Sequence, residues 1–392
     1  MGKMILIDGY SLANRAFYAL PMFTTSKGVP TNAVYGFTTM LLRLLEEERP
    51  QYAAVAVDMA APTFRHRRFE AYKAHRPSMP DPLRSQVARL DQLLRAFALP
   101  IYGAEGYEAD DVIGTLTRQA LESRPGCHVL IVTGDRDTLQ LVGERVTALI
   151  TRKGIKEVER FTPQRVREVL GIEPAQIPEL KGLVGDASDN IPGVPGIGEK
   201  TALQLLQRYG SLESMLAHLT DLPGRVARAL EEHRDQAVLS RYLATIVTEV
   251  PVRLDWEACR LREPDAEALA RLFVELEFRS LLGRLGKLYP QVAQAARRTG
   301  RTPQPAAAGP GEPAGTLPPG PGGAHPAAPP APGGAAGEEE AAREVPPQDG
   351  ARPRAGRRAV ALPAAPFGPP RFVRSHQEVA EAVRQLASAG PA

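Results

Sequence analysis

Aspartates that directly follow short apolar runs are the residues of this sequence best suited to chemistry. Three such runs cover residues 4–7, 53–57 and 129–133, and the acids that follow them are Asp8, Asp58, Asp135 and Asp137. If the runs are neighbouring parallel strands, these acids meet at one edge of the sheet, where α/β proteins bind ligands. Like charges at that density are stable only around cations. The spacing therefore predicts a metal site at the carboxyl ends of the strands.

Further acids extend this set, because Glu108, Asp110 and Asp111 open a helical pattern, and Asp186 and Asp189 precede a glycine-rich turn. All are oxygen ligands with no Cys or His among them, so the predicted ion is hard, Mg²⁺ or Mn²⁺. Seven to nine carboxylates exceed the needs of one ion, and two ions about 4 Å apart fit the two-metal scheme of phosphodiester cleavage. A turn residue or helix N-cap is the alternative for any single aspartate.

A segment dense in cations and aromatic residues, 63–77, follows the second apolar run. Its Arg and Lys side chains can neutralise phosphates, and its Phe and Tyr rings can stack on unpaired bases. The residues predicted near one helical face are Arg65, Arg68 or Phe69, Tyr72 and Arg76. The alternative is a solvated basic helix. The preceding aspartate favours a grip on phosphate, in which Lys73 and Arg76 stabilise the charge that grows on phosphorus.

The glycine-rich turn covers residues 193–200 and reads GVPGIGEK. It is too short for a dinucleotide fingerprint and lacks the strand that must precede one. It better suits a tight hairpin between two helices, whose bare backbone N–H groups can bind a phosphate. Such contacts position a duplex without reading its bases. A simple connection between helices is the alternative.

The elements that must position these residues follow from periodicity. Over residues 1–161, alternating apolar runs and helical patterns predict an α/β domain with a mainly parallel sheet and flanking helices. Residues 162–290 are predicted to be almost wholly helical. Residues 291–370 are rich in Pro, Ala and Gly and predict a disordered linker. Residues 371–392 suggest one strand and one helix, too little to close a domain.

Composition limits the class of protein. The net charge of the 392 residues is only +3, so a nucleic-acid surface must arise from uneven placement of charge. Two distant cysteines, Cys127 and Cys259, argue against disulfides and a zinc site and fit a reducing cytoplasm. The first apolar run is too short for a signal peptide, and no run reaches the length of a membrane span. A cytoplasmic protein without membrane contact is expected.

Six motifs occur in an order that resembles a known family. They are Ile7-Asp8-Gly9 with Asn14-Arg15, Ala61 to Arg65, Tyr72-Lys73 with Arg76, Gly106 to Asp111, Thr133 to Asp137, and Gly185 to Gly193 with Gly196 to Lys200. Over about residues 3–288 they resemble the structure-specific 5′ nuclease (flap endonuclease) family, in particular the 5′-3′ exonuclease domain of bacterial DNA polymerase I. The resemblance implies a PIN-like nuclease fold with a helical arch near residues 62–90, followed by a helix-hairpin-helix domain.

The resemblance also implies roles for individual residues. The first metal would be held by Asp8, Asp58, Glu108 and Asp110, with Asp111 beside them. The second would be held by Asp135, Asp137 and Asp189, with Asp186 close by or acting through water. Lys73 and Arg76 would be catalytic, at the base of the arch on the scissile phosphate, and Arg15 and Arg65 would face the substrate. Duplex DNA would be held, together with a K⁺ ion, by Gly196, Gly198, Lys200 and Thr201.

The activity so implied is 5′-3′ exonuclease and 5′-flap cleavage of DNA with two Mg²⁺ or Mn²⁺ ions, for primer removal in replication and for DNA repair. The expected partners are branched, nicked or flapped DNA and RNA-primed DNA, bound by a monomer in the bacterial cytoplasm. Residues 371–392 resemble the opening of a proofreading-exonuclease-like domain, truncated before a polymerase domain, so polymerisation is not expected.

Three alternatives stay open. A truncated polymerase product acting only as a DNA-binding module would bind flaps in Ca²⁺ and never cut them in Mg²⁺. A PIN-like ribonuclease would share the carboxylates and need neither the basic segment nor the glycine hairpin. A small-molecule phosphotransferase would need a nucleotide-cradling loop, which this sequence lacks.

Overall fold

A six-stranded, mostly parallel sheet lies at the centre of the computed structural model, which describes residues 2–151 and 157–298. The strands are β1 (Lys3–Asp8), β2 (Tyr52–Ala56), β3 (Ile101–Tyr102), β4 (His128–Thr133), β5 (Val146–Thr151) and β6 (Val158–Phe161). Their order is β3-β2-β1-β4-β5-β6, and β6 runs antiparallel to β5 while the other pairs are parallel. Because helices cover both faces, β1, β2 and β4 are near-continuous apolar runs. The predicted fold class is confirmed.

Five helices belong to this α/β part. They are α1 (Gly9–Ala19), α2 (Asn32–Glu48), α3 (Phe64–Arg68), α4 (Asp81–Ala96) and α5 (Ala109–Ser123). The apolar face of α2 illustrates why they form, since Val34, Phe37 and Leu41 recur at helical spacing and are all buried. They pack in one core with Ile5 and Ile7 of β1. Burial of such a face stabilises a helix more than its intrinsic propensity does.

The centre of the sheet is a topological switch point. From β1 the chain builds β2 and β3 on one side of it, then returns to build β4, β5 and β6 on the other. Ile7 is in register with Val132, so Asp8 at the end of β1 lies next to Thr133 at the end of β4. In open α/β sheets a crevice for ligands opens at such a point.

The remaining helices follow β6. They are α6 (Pro163–Leu170), α7 (Ile177–Val184), α8 (Glu199–Tyr209), α9 (Leu212–Ala217), α10 (Gly224–Glu232), α11 (Arg234–Ala244), α12 (Trp256–Cys259), α13 (Ala266–Glu275), α14 (Arg279–Leu288) and α15 (Pro290–Arg298). Among them are 3₁₀ turns at Pro174–Gln176 and Leu219–Asp221, and a further 3₁₀ turn, Asp137–Leu141, lies between β4 and β5. The helices from α6 to α10 pack with β5 and β6 in a second core, where Val166, Leu183 and Leu206 are buried together with Ile150 and Phe161.

The helices α12 to α15 pack against the α/β part. The helices expected over 162–290 therefore contribute to more than one hydrophobic core. Phe273 of α13 and Leu285 of α14 pack in the same core as Phe37 and Leu93. Cys259 of α12 packs on the opposite side of the sheet. All these residues fall in one compact unit. The faces of α2 and α4 explain this return, because each is too apolar to be left in water.

The segment 62–90, expected to form a helical arch, contains α3 and the start of α4. The first of these helices, α3, ends at Arg68, and a run of turns leads to α4. Lys73 adopts a left-handed backbone conformation with φ 56°, and Pro77 and Pro80 disfavour helix before α4 begins. The prediction that Arg65, Tyr72 and Arg76 lie near one helical face is therefore wrong, and the arch stays a prediction.

The linker was expected over 291–370, but residues 291–298 belong to α15, where Val292 and Ala295 are buried, so the predicted start of the linker is wrong. The rest of that range and the segment 371–392 lie outside the described residues. Among the helices of the described ranges, none is long and apolar enough to cross a membrane.

Candidate active site

An open cleft of about 510 Å³ lies at the carboxyl ends of the central strands. The structure brings five of the predicted acids into its lining, namely Asp8, Asp58, Glu108, Asp110 and Asp135. Three predicted basic residues, Arg15, Lys73 and Arg76, line the same cleft. Residues separated by more than a hundred positions in sequence therefore share one concave surface.

Asp8 and Asp135 are positioned by a small hydroxyl network. Asp8 is the N-cap of α1, accepting a hydrogen bond from the Ser11 backbone N–H at 3.1 Å and from the Thr133 hydroxyl at 2.9 Å. The Thr133 hydroxyl also accepts from the Asp135 N–H at 3.0 Å. The Ser11 hydroxyl accepts from the Gly134 N–H at 3.0 Å. The ends of β1 and β4 are thus held in fixed relation.

The start of α5 positions the next acids. The Ala109 N–H donates to Asp58 Oδ1 at 2.8 Å, which links the end of β2 to the first turn of α5. Asp110 lies in that turn, where a carboxylate is favoured by the helix dipole. Its Oδ1 is buried and has no hydrogen-bond partner among the residues that the structure describes. A buried carboxylate oxygen without a partner is costly, so Asp110 is suited to an additional cation.

The pKa values record this crowding. Burial, followed by the charge of Asp58, raises the pKa of Asp8 to about 7. Burial and the charge of Asp135 raise the pKa of Asp110 well above its usual range. Asp58 is exposed at the rim, yet desolvation by the surrounding protein and the charge of Glu108 raise its pKa as well. In the described part of the chain, no basic residue forms an ion pair with Asp8, Asp58, Asp110 or Asp135.

A second group of acids lies beside the first and is paired with lysine. Lys181 Nζ forms ion pairs with both Asp137 and Asp186. Burial and Asp135 raise the pKa of Asp137 to about 6, although Lys181 opposes them. Burial also acts to raise the pKa of Asp186, but the hydrogen bond and the charge of Lys181 outweigh it, so the pKa of Asp186 is lowered. Lys181 was not predicted from the sequence. The only signal for it there is its spacing from Asp186.

The basic segment 63–77 contacts Glu108 of the cleft and Asp189, a further predicted acid. The buried Tyr72 hydroxyl is 3.1 Å from both Glu108 Oε2 and Asp189 Oδ2. Lys73 Nζ lies 2.7 Å from Glu108 Oε1 and 3.7 Å from Asp189 Oδ2. Arg76 pairs with Asp189 Oδ1. The sequence placed Tyr72 only on a helical face, whereas the structure makes it a link between acids.

These pairings decide how the carboxylates are arranged. Among the residues that the structure describes, no three Asp, Glu, His or Cys side chains are grouped so that they could hold one metal ion as they stand. Glu108 and Asp189 face Lys73 and Arg76, and Asp137 faces Lys181. A bound cation would have to take the place of these contacts.

Two expected site residues lie elsewhere. Arg65 and Asp111 are 3% and 0% exposed, and they form a double hydrogen bond of 2.7 and 2.9 Å with each other. Arg65 also donates to the Leu243 carbonyl at 2.7 Å. Neither lines the cleft. The expectation that Arg65 faces a substrate is contradicted because its guanidinium is paired with Asp111. Asp111 lies beside Glu108, as expected, and accepts from its N–H at 3.0 Å, but its carboxylate is engaged by Arg65.

The glycine-rich turn connects α7 to α8. Gly193 adopts φ 63° so close to Gly185 that a side-chain Cβ would lie 2.3 Å from the Gly185 nitrogen. Only glycine fits there. Gly196, Gly198 and Lys200 are exposed, and Thr201 is half-buried. None of these four lines the carboxylate cleft, and the K⁺ expected at the turn stays a prediction.

Comparison with known proteins gives relatives for most of the described chain. The chain is 48% identical over 284 residues to DNA polymerase I of Bacillus caldotenax, and the aligned region covers 72% of this chain and 32% of that protein. It is 45% identical over 286 residues to DNA polymerase I of Bacillus subtilis, covering 73% and 32%. The chain therefore spans about a third of the length of these relatives.

Solved structures support the fold. The 5′-exonuclease of bacteriophage T5 with divalent zinc ions superposes with a TM-score of 0.52 at 19% identity, covering 62% of this chain and 89% of that chain. The flap endonuclease of bacteriophage T5, in a pseudo-enzyme-product complex with DNA and metal ions, gives 0.52 at 17% identity, covering 75% and 99%. Human GEN1 with Holliday junction DNA gives 0.51 at 16%, covering 76% and 75%.

Family models match two consecutive parts of the chain. Residues 3–171 match the 5′-3′ exonuclease N-terminal resolvase-like domain, and residues 172–267 match the 5′-3′ exonuclease C-terminal SAM fold. The two models together cover the carboxylate cleft and the glycine-rich turn. The chain belongs to the 5′-3′ exonuclease family, in the form found in the N-terminal part of bacterial DNA polymerase I.

Proposed function

We propose that this chain is a divalent-metal-dependent 5′-3′ exodeoxyribonuclease and 5′-flap endonuclease. The observation that carries the proposal is the cleft in which Asp8, Asp58, Asp110 and Asp135 gather without basic partners among the described residues. Family membership supports the same reaction class. Primer removal in replication and DNA repair are the roles that this activity would serve.

The residues fit a hard divalent ion. All the donors are oxygens, and Asp110 Oδ1 is buried with no hydrogen-bond partner in the described ranges. Burial and mutual repulsion raise the pKa values of Asp8, Asp58 and Asp110. One ion would be held by Asp8, Asp58, Glu108 and Asp110, and a second by Asp135, Asp137 and Asp189 with Asp186 close by. We propose Mg²⁺ or Mn²⁺. The metal ions bound in the bacteriophage T5 structures support a divalent ion at this site.

Bound ions would supply a water of lowered pKa and a positive charge at the leaving oxygen. The chain's own residues do the rest. Lys73 and Arg76 lie on the cleft and can stabilise the charge that develops on the phosphate oxygens. Tyr72, by contacting Glu108 and Asp189, keeps these acids in position. Hydrolysis would leave 5′-phosphate and 3′-hydroxyl ends.

Binding of DNA would extend beyond the cleft. Arg15 lines the cleft, with one guanidinium N–H donating to the Thr151 carbonyl at 2.7 Å. At the separate turn, exposed Gly196 and Gly198 offer backbone N–H groups and Lys200 offers a positive charge. We propose that these groups hold the phosphates of a duplex while a single-stranded 5′ end enters the cleft. The substrates would be branched, nicked, flapped or RNA-primed DNA, bound by a monomer.

The test is cleavage of a labelled 5′-flap duplex with Mg²⁺, with single-stranded RNA as a second substrate. We expect flap cleavage that is abolished by chelator and by Asp135→Ala combined with Asp137→Ala. Asp235→Ala, at an exposed position on α11, is the matched control and should cut at the unmodified rate. Flap binding in Ca²⁺ without any cleavage in Mg²⁺, or cleavage of RNA alone, would contradict the proposal.

A further inference from the structure

Lys181 occupies the second group of acids in the way that a metal ion would. We propose that its ammonium is a resident cation, which a divalent ion must displace, so that this chain binds its second ion much more weakly than its first. The proposal rests on the proposed function, since it concerns the ions of that same site. It makes Lys181 a residue that determines metal affinity.

The first support is the geometry of the lysine. Lys181 lies in the last turn of α7, and its carbonyl accepts the Gly185 N–H at 2.8 Å, the bond that ends the helix. From this fixed base its Nζ reaches Asp137 in the 3₁₀ turn after β4 and Asp186 in the loop after α7. The ammonium thus joins acids that come from two separate parts of the chain.

The second support is burial. The side chains of Lys181, Asp137 and Asp186 are 19%, 16% and 15% exposed. Ion pairs on an open surface are screened by water and stabilise little. Charges held by protein atoms interact more strongly, and removing one partner leaves the others uncompensated. This contact is therefore strong enough to compete with an incoming ion.

The third support is the contrast between the two groups. Within the described ranges, Asp8, Asp58 and Asp110 have no ion-pair partner, so an ion entering the first position displaces only the basic partners of Glu108, of which Lys73 is the nearer. At the second position, Asp137 and Asp186 already contact the Lys181 ammonium, and Asp189 already contacts Arg76. More ion pairs must therefore give way at the second position than at the first. The long, flexible lysine stem allows the ammonium to move away, and a DNA phosphate would offer it another partner.

The experiment is Mn²⁺ binding to metal-stripped protein without DNA, followed by electron paramagnetic resonance of the free ion. The variants are Lys181→Met, which removes the charge, and Lys181→Gln, which keeps a polar side chain if the first fails to fold. Lys287→Met changes net charge equally at an exposed site on α14. Circular dichroism checks that each variant is folded.

We expect one tight and one weak ion in the unmodified chain. Loss of the lysine charge should tighten the weak ion by about tenfold or more, which corresponds to about 1.4 kcal/mol, and should leave the tight ion unchanged. Lys287→Met should leave both unchanged. Unaltered affinities in the folded Lys181 variants would overturn the inference and leave the proposed function standing. Absence of Mn²⁺ binding in every variant would overturn both.

Discussion

Arg65 and Asp111 form a buried ion pair with two hydrogen bonds, at 2.7 and 2.9 Å. Asp111 also accepts from the Glu108 N–H at 3.0 Å and from the Val247 N–H at 2.8 Å. The pair therefore fixes the backbone of a cleft acid to the chain that leaves α11. Its function is structural, and it sets the position of Glu108 without facing the cleft.

Breaking this pair should destabilise the fold. Arg65→Met leaves Asp111 buried without its cation, and we expect the free energy of unfolding to fall by about 3–5 kcal/mol. Urea unfolding measures the change. The control is Arg167→Met, which removes a pair with Glu173 that is half exposed and should cost at most about 1 kcal/mol. Equal losses in the two variants would contradict this account.

Tyr72→Phe should impair cleavage while preserving the fold. The ring stays in its buried position, but the hydroxyl that contacts Glu108 and Asp189 is lost. Hydrogen bonds to charged groups contribute about 1.5–3 kcal/mol, so we expect single-turnover flap cleavage to slow by about ten- to a hundredfold. Tyr242→Phe, at an exposed tyrosine, is the control. An unaltered rate in Tyr72→Phe would show that the link is dispensable.

Stability of the metal-free protein should depend on pH through Asp8. Burial and Asp58 raise its pKa from 3.8 to about 7 in the fold, so the folded protein binds more protons than the unfolded chain between these values. The contribution of this group is therefore lost as pH rises from about 4 to 7. Asp8→Asn keeps an N-cap residue and removes the charge.

We expect Asp8→Asn to gain stability over the unmodified protein at pH 8 and to gain much less at pH 5, as measured by urea unfolding with chelator. Asp235→Asn should show the same small difference at both values. Addition of Mg²⁺ at pH 8 should stabilise the unmodified protein more than Asp8→Asn. A stability gain independent of pH would contradict the assignment of charge repulsion to Asp8.

Lys200→Met should weaken DNA binding without altering sequence preference. Lys200 is exposed on the first turn of α8, where it can contact a phosphate. Binding of flap DNA in Ca²⁺ should weaken uniformly across sequences, and the dependence of log affinity on log salt should fall by about 1. Lys287→Met serves as the control. An unchanged salt dependence would remove Lys200 from the DNA surface.

The helices and the common edge of the parallel strands could be predicted because both follow from local sequence pattern. The helix Asn32–Glu48 can be recognised in the sequence because its apolar residues recur at helical spacing and form a buried face. Asp8, Asp58 and Asp135 could be brought together because parallel strands end at a common edge. These inferences need only periodicity and topology.

Contacts between distant side chains could not be predicted. The spacing of residues in the sequence does not show that Arg65 forms an ion pair with Asp111, or that Lys181 forms one with Asp137. The periodicity of α13 indicates an apolar face, but it does not show that this face shares a core with α2 and α4. In the basic segment, helical spacing was overridden by the left-handed conformation of Lys73 and by nearby prolines.

Anomalous diffraction from crystals grown with Mn²⁺ shows whether these carboxylates gather to hold divalent ions. We expect anomalous density in the cleft bounded by Asp8, Glu108 and Asp135, with a second peak toward Asp137 that strengthens when Lys181 is replaced by methionine. A cleft without anomalous density in well-diffracting crystals, with Mn²⁺ bound elsewhere or nowhere, would contradict it.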